Sequence, residues 1–445
     1  MTIQERIEEL PKQGFYLLLV YMPFHVFIVQ WLSLYTGGLA VWKGLKDAIA
    51  LFLVSLTVLL VWFKRKSTRE FNWFVWLALS YAVIHFLVWM LHPTIHKDTA
   101  LLGSVYNNRL LWFLVLGMGV RLLWPKIPES SALRVVVGVS TAVCVIGVLQ
   151  YFLPKDTMQS FGYSLARGTI PAFFIDNKPN LPRIFSTLRD PNSLGAYLIV
   201  PITILFYKLF TVVRQKRQMI AGLLFLHGLA LFLTFSRSAW LGALASLIIL
   251  GVCTLRSKFV PWLIKYWPLL LGAVLLLGSL LFMYRDQYAL QNIIVHNDTS
   301  IQAKSEIDSN EYHIIYARRG LEAIAHHPLG SGPGTAGPVS MQHQNTVFLT
   351  ENYYLQIGYE VGLVGLVIFL MANILVYREL LRRRSLLSAV LLASFWGYVV
   401  CNMLLHTWGN EAVVSQWWLL AGLVAGAPIH KSQKQKVAKT EPSNN

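Results

Sequence analysis

Phe235-Ser236-Arg237-Ser238-Ala239-Trp240-Leu241-Gly242 sets an arginine between two apolar runs, Ala221 to Phe235 and Ala239 to Thr254, each nearly long enough to cross a bilayer. Arg237 therefore falls at a membrane face, where an ionisable side chain is costly unless it binds something. One reading is a snorkelling arginine that merely ends a helix. The other is an anion ligand, and the topology of the whole chain bears on the choice.

Hydrophobic residues make up 55% of the 445, charged residues only 13%, and the mean hydropathy is +0.52, which indicates a polytopic membrane protein and excludes a soluble domain with a large core. Cys144, Cys253 and Cys401 all lie inside apolar runs and read as small buried hydrophobes, neither a disulfide framework nor a zinc site. Met1 to Gln13 carries mixed charge, and no small-residue cleavage site follows, so the first apolar run reads as a retained span. The net charge of +17 is concentrated in short loops between spans, which argues against nucleic acid as a partner.

Apolar runs place about twelve spans, at 15–35, 47–63, 72–91, 109–124, 132–152, 193–211, 219–235, 239–254, 262–283, 353–377, 386–405 and 411–428. With a cytoplasmic N-terminus, every cytoplasmic loop is basic and almost free of acid, from Lys64-Arg65-Lys66 to Arg382-Arg383-Arg384. The Lys-rich tail falls on the same side and reads as disordered. The outer side then receives His92 to Asn108, Leu153 to Asn192, the turn at Arg237, the long segment Tyr284 to Thr350, and His406 to Glu411. Long loops on a rigid scaffold usually carry function. No internal repeat is visible, which weakens an inverted-repeat transporter. The expected domains are helices 1–9 over 1–283, an extracytoplasmic loop over 284–350, helices 10–12 over 351–430 and the tail 431–445.

Within the long outer segment, Asn297 to Asn310 is polar and acidic and reads as mobile. Asp308-x-x-Glu311 resembles a capping box. Ile314, Ala317, Leu321 and Ile324 follow at helical spacing, with Arg318, Arg319 and Glu322 on the other face, as in an amphipathic helix lying at the membrane surface. His326-His327-Pro328 ends it. Gly330-Ser331-Gly332-Pro333-Gly334 either lets backbone N–H groups approach an anion or is a flexible link.

Arg189 and Arg237 flank helices on the outer side against the usual charge bias, and guanidinium suits bidentate contact with phosphate. A polyanionic ligand at the outer surface follows. Asp190-Pro191-Asn192-Ser193 is a helix start, so Asp190 is either a cap or part of a site. Glu351 opens the tenth span, where partial burial would raise its pKa toward a general base's range; the alternative is an acid favoured by the helix dipole. Gly362 and Gly365 would let a neighbouring helix pack closely. His313, His326, His327 and His343 show no metal-ligand spacing.

Together these residues resemble the O-antigen ligase and polymerase superfamily, the WaaL-type ligases and Wzy-type polysaccharide polymerases. The likeness rests on Arg189-Asp-Pro-Asn-Ser-Leu-Gly195, Thr234-Phe-Ser-Arg-Ser-Ala-Trp-Leu-Gly242, His327-Pro-Leu-Gly-Ser-Gly-Pro-Gly334, and Asn352 with Gly362-x-x-Gly365. It implies an all-α polytopic, GT-C-like fold with a large extracytoplasmic loop. It also implies a bacterial cytoplasmic-membrane enzyme, termini inside, that transfers a glycan from an undecaprenyl-diphosphate donor to a glycan acceptor without metal or cofactor. In the ligases a histidine stands where this chain has Glu351, which points to the polymerase branch, with ligase-type transfer to a lipid, wall or protein acceptor as the alternative. The expected catalytic residues are Glu351 and Arg237. Arg189, Arg237, Arg318 and Arg319 are expected on the diphosphate, and Asp190, Asn192, Asn352, Tyr353, His343 and His313 elsewhere on the substrate. A transporter or flippase of a lipid-linked anion would instead bury charges mid-span, where the spans show only His25, His85 and His227.

Overall fold

The computed structural model describes residues 2–175, 181–283, 309–343 and 348–428; the side chains of 309–313 and 341–343 fall outside the described set, as do several between 270 and 282. The acidic stretch before Ser309, Asp308 of the expected capping box and the lysine-rich tail also lie outside it. The protein is an all-α polytopic membrane protein, and a helix occupies each of the twelve expected spans. Nine of these, among the described residues, are long and apolar enough to cross a membrane.

The helices, in chain order, are α1 (Ile3–Tyr21), α2 (His25–Thr36), α3 (Leu39–Phe63), α4 (Arg69–Leu91), α5 (Lys97–Leu123), α6 (Glu129–Phe152), α7 (Pro191–Thr211), α8 (Arg214–Leu233), α9 (Arg237–Ile249), α10 (Arg256–Met283), α11 (Ser309–His326), α12 (Gly337–His343), α13 (Tyr353–Arg382), α14 (Leu386–Leu404) and α15 (Glu411–Ala425). A short 3-10 turn joins α1 to α2 into one 34-residue span. Between α6 and α7 a two-residue antiparallel ladder pairs Phe173 with Arg183 and Phe174 with Pro182.

The core is built around α15, all of whose fifteen residues are buried. Glycines bring it against α5 with backbones nearly touching. A Cβ on Gly117 would lie 2.3 Å from the Leu419 carbonyl oxygen, and one on Gly422 would lie 2.2 Å from that of Leu114. The same device joins α9 to α14, where a Cβ on Gly397 would meet the Gly242 carbonyl oxygen at 2.4 Å. Trp408, Trp417 and Trp418 fill the outer end of this core, with ring centroids 5.1 to 5.6 Å apart.

Three expectations change. The outer loop His92 to Asn108 is largely helix, because α5 starts at Lys97, ahead of the expected span start at Arg109, and buries Asn107 and Asn108, whose polarity had read as a loop. The Gly362/Gly365 pair divides: Gly365 stays helical and faces Ile84 of α4, a Cβ there lying 3.6 Å from its Cγ2, while Gly362 makes no such helix contact. Gly362 is a break inside α13 with φ +71, and a Cβ there would lie 2.5 Å from the Leu329 carbonyl carbon. The expected apolar stripe of α11 is only partly covered: Ile324 is buried and Gly320 lies against Leu355, while Ile314 and Leu321 are exposed.

Candidate functional site

Four non-glycine residues among those described hold left-handed backbone, and three of them flank expected site residues: Ser186 (φ 54), Phe235 (φ 50) and Glu351 (φ 49). Strain of this kind costs about 1–3 kcal/mol per residue and concentrates at functional sites. Ser186 precedes Arg189 by three residues, Phe235 precedes Arg237 by two, and Glu351 is itself an expected catalytic residue.

The turns carrying these residues pack on one another. Arg183 donates from Nε to the Thr234 carbonyl at 2.8 Å and from Nη2 to Asn192 Oδ1 at 3.0 Å, and the Ile184 amide donates to the Leu233 carbonyl at 3.1 Å. Gly195 sits so close to Ser236 and Ala239 that a Cβ would reach 2.7 Å from that of Ala239. The start of α7 is thereby locked to the turn that presents Arg237 at the first position of α9. Asp190 caps α7, accepting from the Ser193 amide and hydroxyl at 2.8 Å each.

A cavity of about 180 Å³ opens beside this junction, walled by Arg189, Asp190 and Asn192 on one side and by Tyr106, His406, Asn410 and Glu411 on the other. Trp408 anchors the wall loop, with its amide donating to Asn402 Oδ1 at 3.0 Å. Glu351 is held next to the same loop by both its neighbours: Thr350 Oγ1 lies 3.2 Å from His406 Nε2, and Asn352 donates from Nδ2 to the Met403 carbonyl at 3.1 Å. Asn352 also caps α13, accepting from the Leu355 amide. Burial raises the Glu351 pKa above its ordinary 4.5.

Sequence reasoning passed over the basic side of this region. Lys43 donates to the Arg167 carbonyl at 3.0 Å and interacts electrostatically with Arg189 and Arg167. Arg167 is pinned to α2 through Gln30 and Ser33. The sequence-based topology puts the start of α3, with Lys43 and Lys46, on the outer side, and lysines against the usual charge bias were the signal that would have found them.

Beneath the cavity lies a buried ion cluster. Arg109, 1% exposed, is bound in bidentate fashion by Asp47, with Nε–Oδ1 and Nη2–Oδ2 both 2.7 Å. Glu411 Oε2 stands 3.8 Å from Nη1, Lys46 Nζ lies 3.2 Å from Asp47, and the guanidinium covers the Tyr106 ring at 4.1 Å. Glu360 is fully buried and accepts from Asn107 Nδ2 at 2.6 Å, Gln356 Nε2 at 3.2 Å and the Ala336 amide at 3.2 Å. The expectation that spans bury almost no charge is therefore corrected, since Lys46, Arg109, Glu360, Glu379 and Glu411 are buried within helices and Arg383 is buried just past the end of α13. Each is met by protein partners: Glu379, for instance, by Arg382 and Arg383.

The glycine-rich run packs against Glu360 of α13, with one amide on its carboxyl group and others on main-chain carbonyls. Gly332 donates to the Glu360 carbonyl at 2.9 Å, Ser331 to the Tyr359 carbonyl at 2.7 Å, and the Gly334 amide also bonds the Glu360 carboxylate. Gly330, Gly332, Gly334 and Gly337 all have positive φ, which lets the loop thread the break at Gly362.

Arg237, Glu351 and Asn352 are not among the residues that line this cavity, and neither are Tyr353, Arg318 or Arg319. Tyr353 is fully buried, its hydroxyl 3.4 Å from Asn107 Oδ1. Arg318 and Arg319 are exposed on α11, where Arg318 pairs with Glu322 at 2.8 Å. His326 and His327 are exposed at its end. His313 and His343 lie on α11 and α12, but their side chains are outside the described residues.

No curated protein matches the chain. Residues 220–370 match the family model for O-antigen ligase, a stretch that runs from α8 through Arg237, the glycine-rich loop and Glu351 to beyond the break at Gly362. Over that stretch the chain is similar to the O-antigen ligases, which supports the resemblance to the O-antigen ligase/polymerase superfamily.

Proposed function

We propose that the protein polymerises oligosaccharide repeat units carried on a polyprenyl diphosphate, at the outer face of the cytoplasmic membrane and with both termini inside. The observation that carries the reading is the clustering of left-handed residues at the three turns that present Arg189, Arg237 and Glu351. In the reaction Glu351 takes the proton of an acceptor sugar hydroxyl, and that oxygen attacks the anomeric carbon of the donor. The bond from that carbon to the diphosphate breaks with inversion, and the diphosphate leaves with the electron pair. Arg189 and Arg237 neutralise the charge that builds on it, a contribution that preorganised cations make without reorganising at the moment of reaction. Asn192 and His406 complete the cavity wall against the sugar. Arg318 and Arg319, exposed on α11, are placed to meet the donor's headgroup as it arrives.

Glu351 in the position of the ligase histidine supports the polymerase branch, in which acceptor and donor are the same kind of lipid-linked unit. The test is purified protein incubated with the host's undecaprenyl-diphosphate repeat unit alone, read as a gel ladder beside Glu351→Gln. A regular ladder that vanishes in the variant is expected. Product formed only after a separate lipid, wall or protein acceptor is added would instead assign a ligase, and a ladder undiminished in Glu351→Gln would remove Glu351 from the chemistry.

A further inference from the structure

A further cavity shares no lining residue with that site. It is a groove of about 660 Å³ between α4 and α13, two antiparallel helices that approach where Gly365 faces Ile84 and separate toward Arg69 and Arg382. On α4 it runs from Arg69 to Ser80, about 16 Å, and on α13 from Ile368 to Arg382, about 21 Å, at 1.5 Å of rise per residue. That is about one leaflet of a hydrocarbon core roughly 30 Å thick, with room for a headgroup.

Its two ends differ in chemistry. The deep part is apolar, lined by Phe74, Leu77, Ile368 and Leu375, while the mouth carries Arg69, Arg378 and Arg382 with Glu70 and Glu379. Glu379 is engaged by Arg382 and by the buried Arg383, so the mouth region holds four arginines to two glutamates, and Arg69 and Arg378 are exposed there. Trp73 and Trp76 stand 61% and 63% exposed along the groove, as indoles do at headgroup level. Basic pockets between membrane helices recognise anionic headgroups, at about 1 kcal/mol per arginine near the surface.

We propose that this groove binds an anionic phospholipid, its phosphate on Arg69 and Arg378 and an acyl chain laid along Phe74, Leu77 and Leu375. In the positive-inside orientation the lipid belongs to the cytoplasmic leaflet, opposite the glycosyl-transfer cavity. A zwitterionic lipid fits the apolar part equally but leaves the excess positive charge unanswered.

The experiment titrates the full-length protein in detergent with phosphatidylglycerol and, separately, with phosphatidylcholine, and counts retained lipids by native mass spectrometry. Wild type is expected to retain one phosphatidylglycerol several-fold more tightly than phosphatidylcholine. Arg69→Gln with Arg378→Gln should weaken that lipid by about fivefold per arginine, while the Arg69→Lys, Arg378→Lys pair keeps the preference. If the glutamine pair does not fold, quenching of wild-type tryptophan fluorescence by brominated phosphatidylglycerol, set against brominated phosphatidylcholine and against Trp73→Phe with Trp76→Phe, carries the test. Equal retention or equal quenching by the two lipids, or a preference that survives the glutamine pair, would overturn the site.

Discussion

Asp47→Asn is the sharpest test of how the region under the cavity is held. The substitution preserves shape and removes the charge that faces Arg109, a guanidinium 1% exposed that donates two 2.7 Å bonds to that one carboxylate. Glu411, 3.8 Å from Nη1, is too far to replace either bond, though it and the Tyr106 ring at 4.1 Å keep some compensation. Breaking one partner of a buried pair costs about 3–5 kcal/mol. With that residual compensation the expected loss is at the lower end, about 3 kcal/mol. Lys46, 3.2 Å from Asp47, loses a partner as well and adds to the cost. Replacing both members by apolar residues, Asp47→Leu with Arg109→Met, leaves no uncompensated arginine and should recover most of the loss. The assay is unfolding in mixed micelles with increasing SDS, followed by tryptophan fluorescence, on the two single variants and the double variant as a cycle. A loss under 1 kcal/mol for Asp47→Asn, or a double variant no better than the single, would refute the reasoning.

Glu351 should give transfer an acid limb above the ordinary 4.5, because the base must be ionised and burial holds its proton; a pH–rate profile checks this, and the limb should be missing from any residual activity of Glu351→Gln. The sign for stability runs the other way. A carboxyl whose folded pKa is raised contributes stability below its unfolded value and loses it as pH rises through the folded one, so Glu351→Gln should flatten a decline in stability above about pH 4.5. Arg237→Ala and Arg189→Ala should each lower transfer by about 10²–10³-fold with the fold intact, as removing one preorganised donor does elsewhere; normal ladders from either variant would move the diphosphate to another place. Gly362→Ala should cost more than the 1–3 kcal/mol typical of a strained backbone, since its Cβ also meets backbone atoms of Pro328, Leu329 and Gly330 within 2.8 Å. A variant that unfolds in SDS like wild type would show the break at Gly362 to be dispensable.

Hydropathy placed twelve spans, and a helix occupies each, because bilayer thickness fixes how long an apolar run must be and that constraint is local in sequence. It failed where the protein answers polar groups from within. Asn107 and Asn108 read as a loop and Arg109 as the first residue of a span, yet all three lie well inside α5, because Glu360 and Asp47, 253 residues from Asn107 and 62 from Arg109, satisfy two of them. The same blindness hid the cavity. Arg189, Asp190 and Asn192 were legible as an outer-face cluster, but Tyr106, His406 and Glu411 join it only through the packing of α15 against α5, which rests on Gly117 and Gly422. Glycine spacing in the sequence does not say whether a glycine serves a helix contact or a break: of the two motif glycines expected to do the first, Gly365 faces Ile84 of α4 and Gly362 forms the break.

The division of roles among the charges follows from what surrounds them. Where a carboxylate or guanidinium has its lone pairs or protons taken up by fixed protein partners, as Glu360 and the Asp47–Arg109 pair do, it has little left for a ligand, and its removal should be felt chiefly in stability. Arg189 and Glu351 differ in being half-buried and carried on turns beside left-handed residues, held in place by neighbours and not by the packing of a helix interior. Such positions give up stability to keep a side chain in place, which is the arrangement expected of residues that must present charge to a substrate. The contrast is measurable: variants of the first set should lose activity only in proportion to folded protein, and variants of the second should lose it per folded molecule.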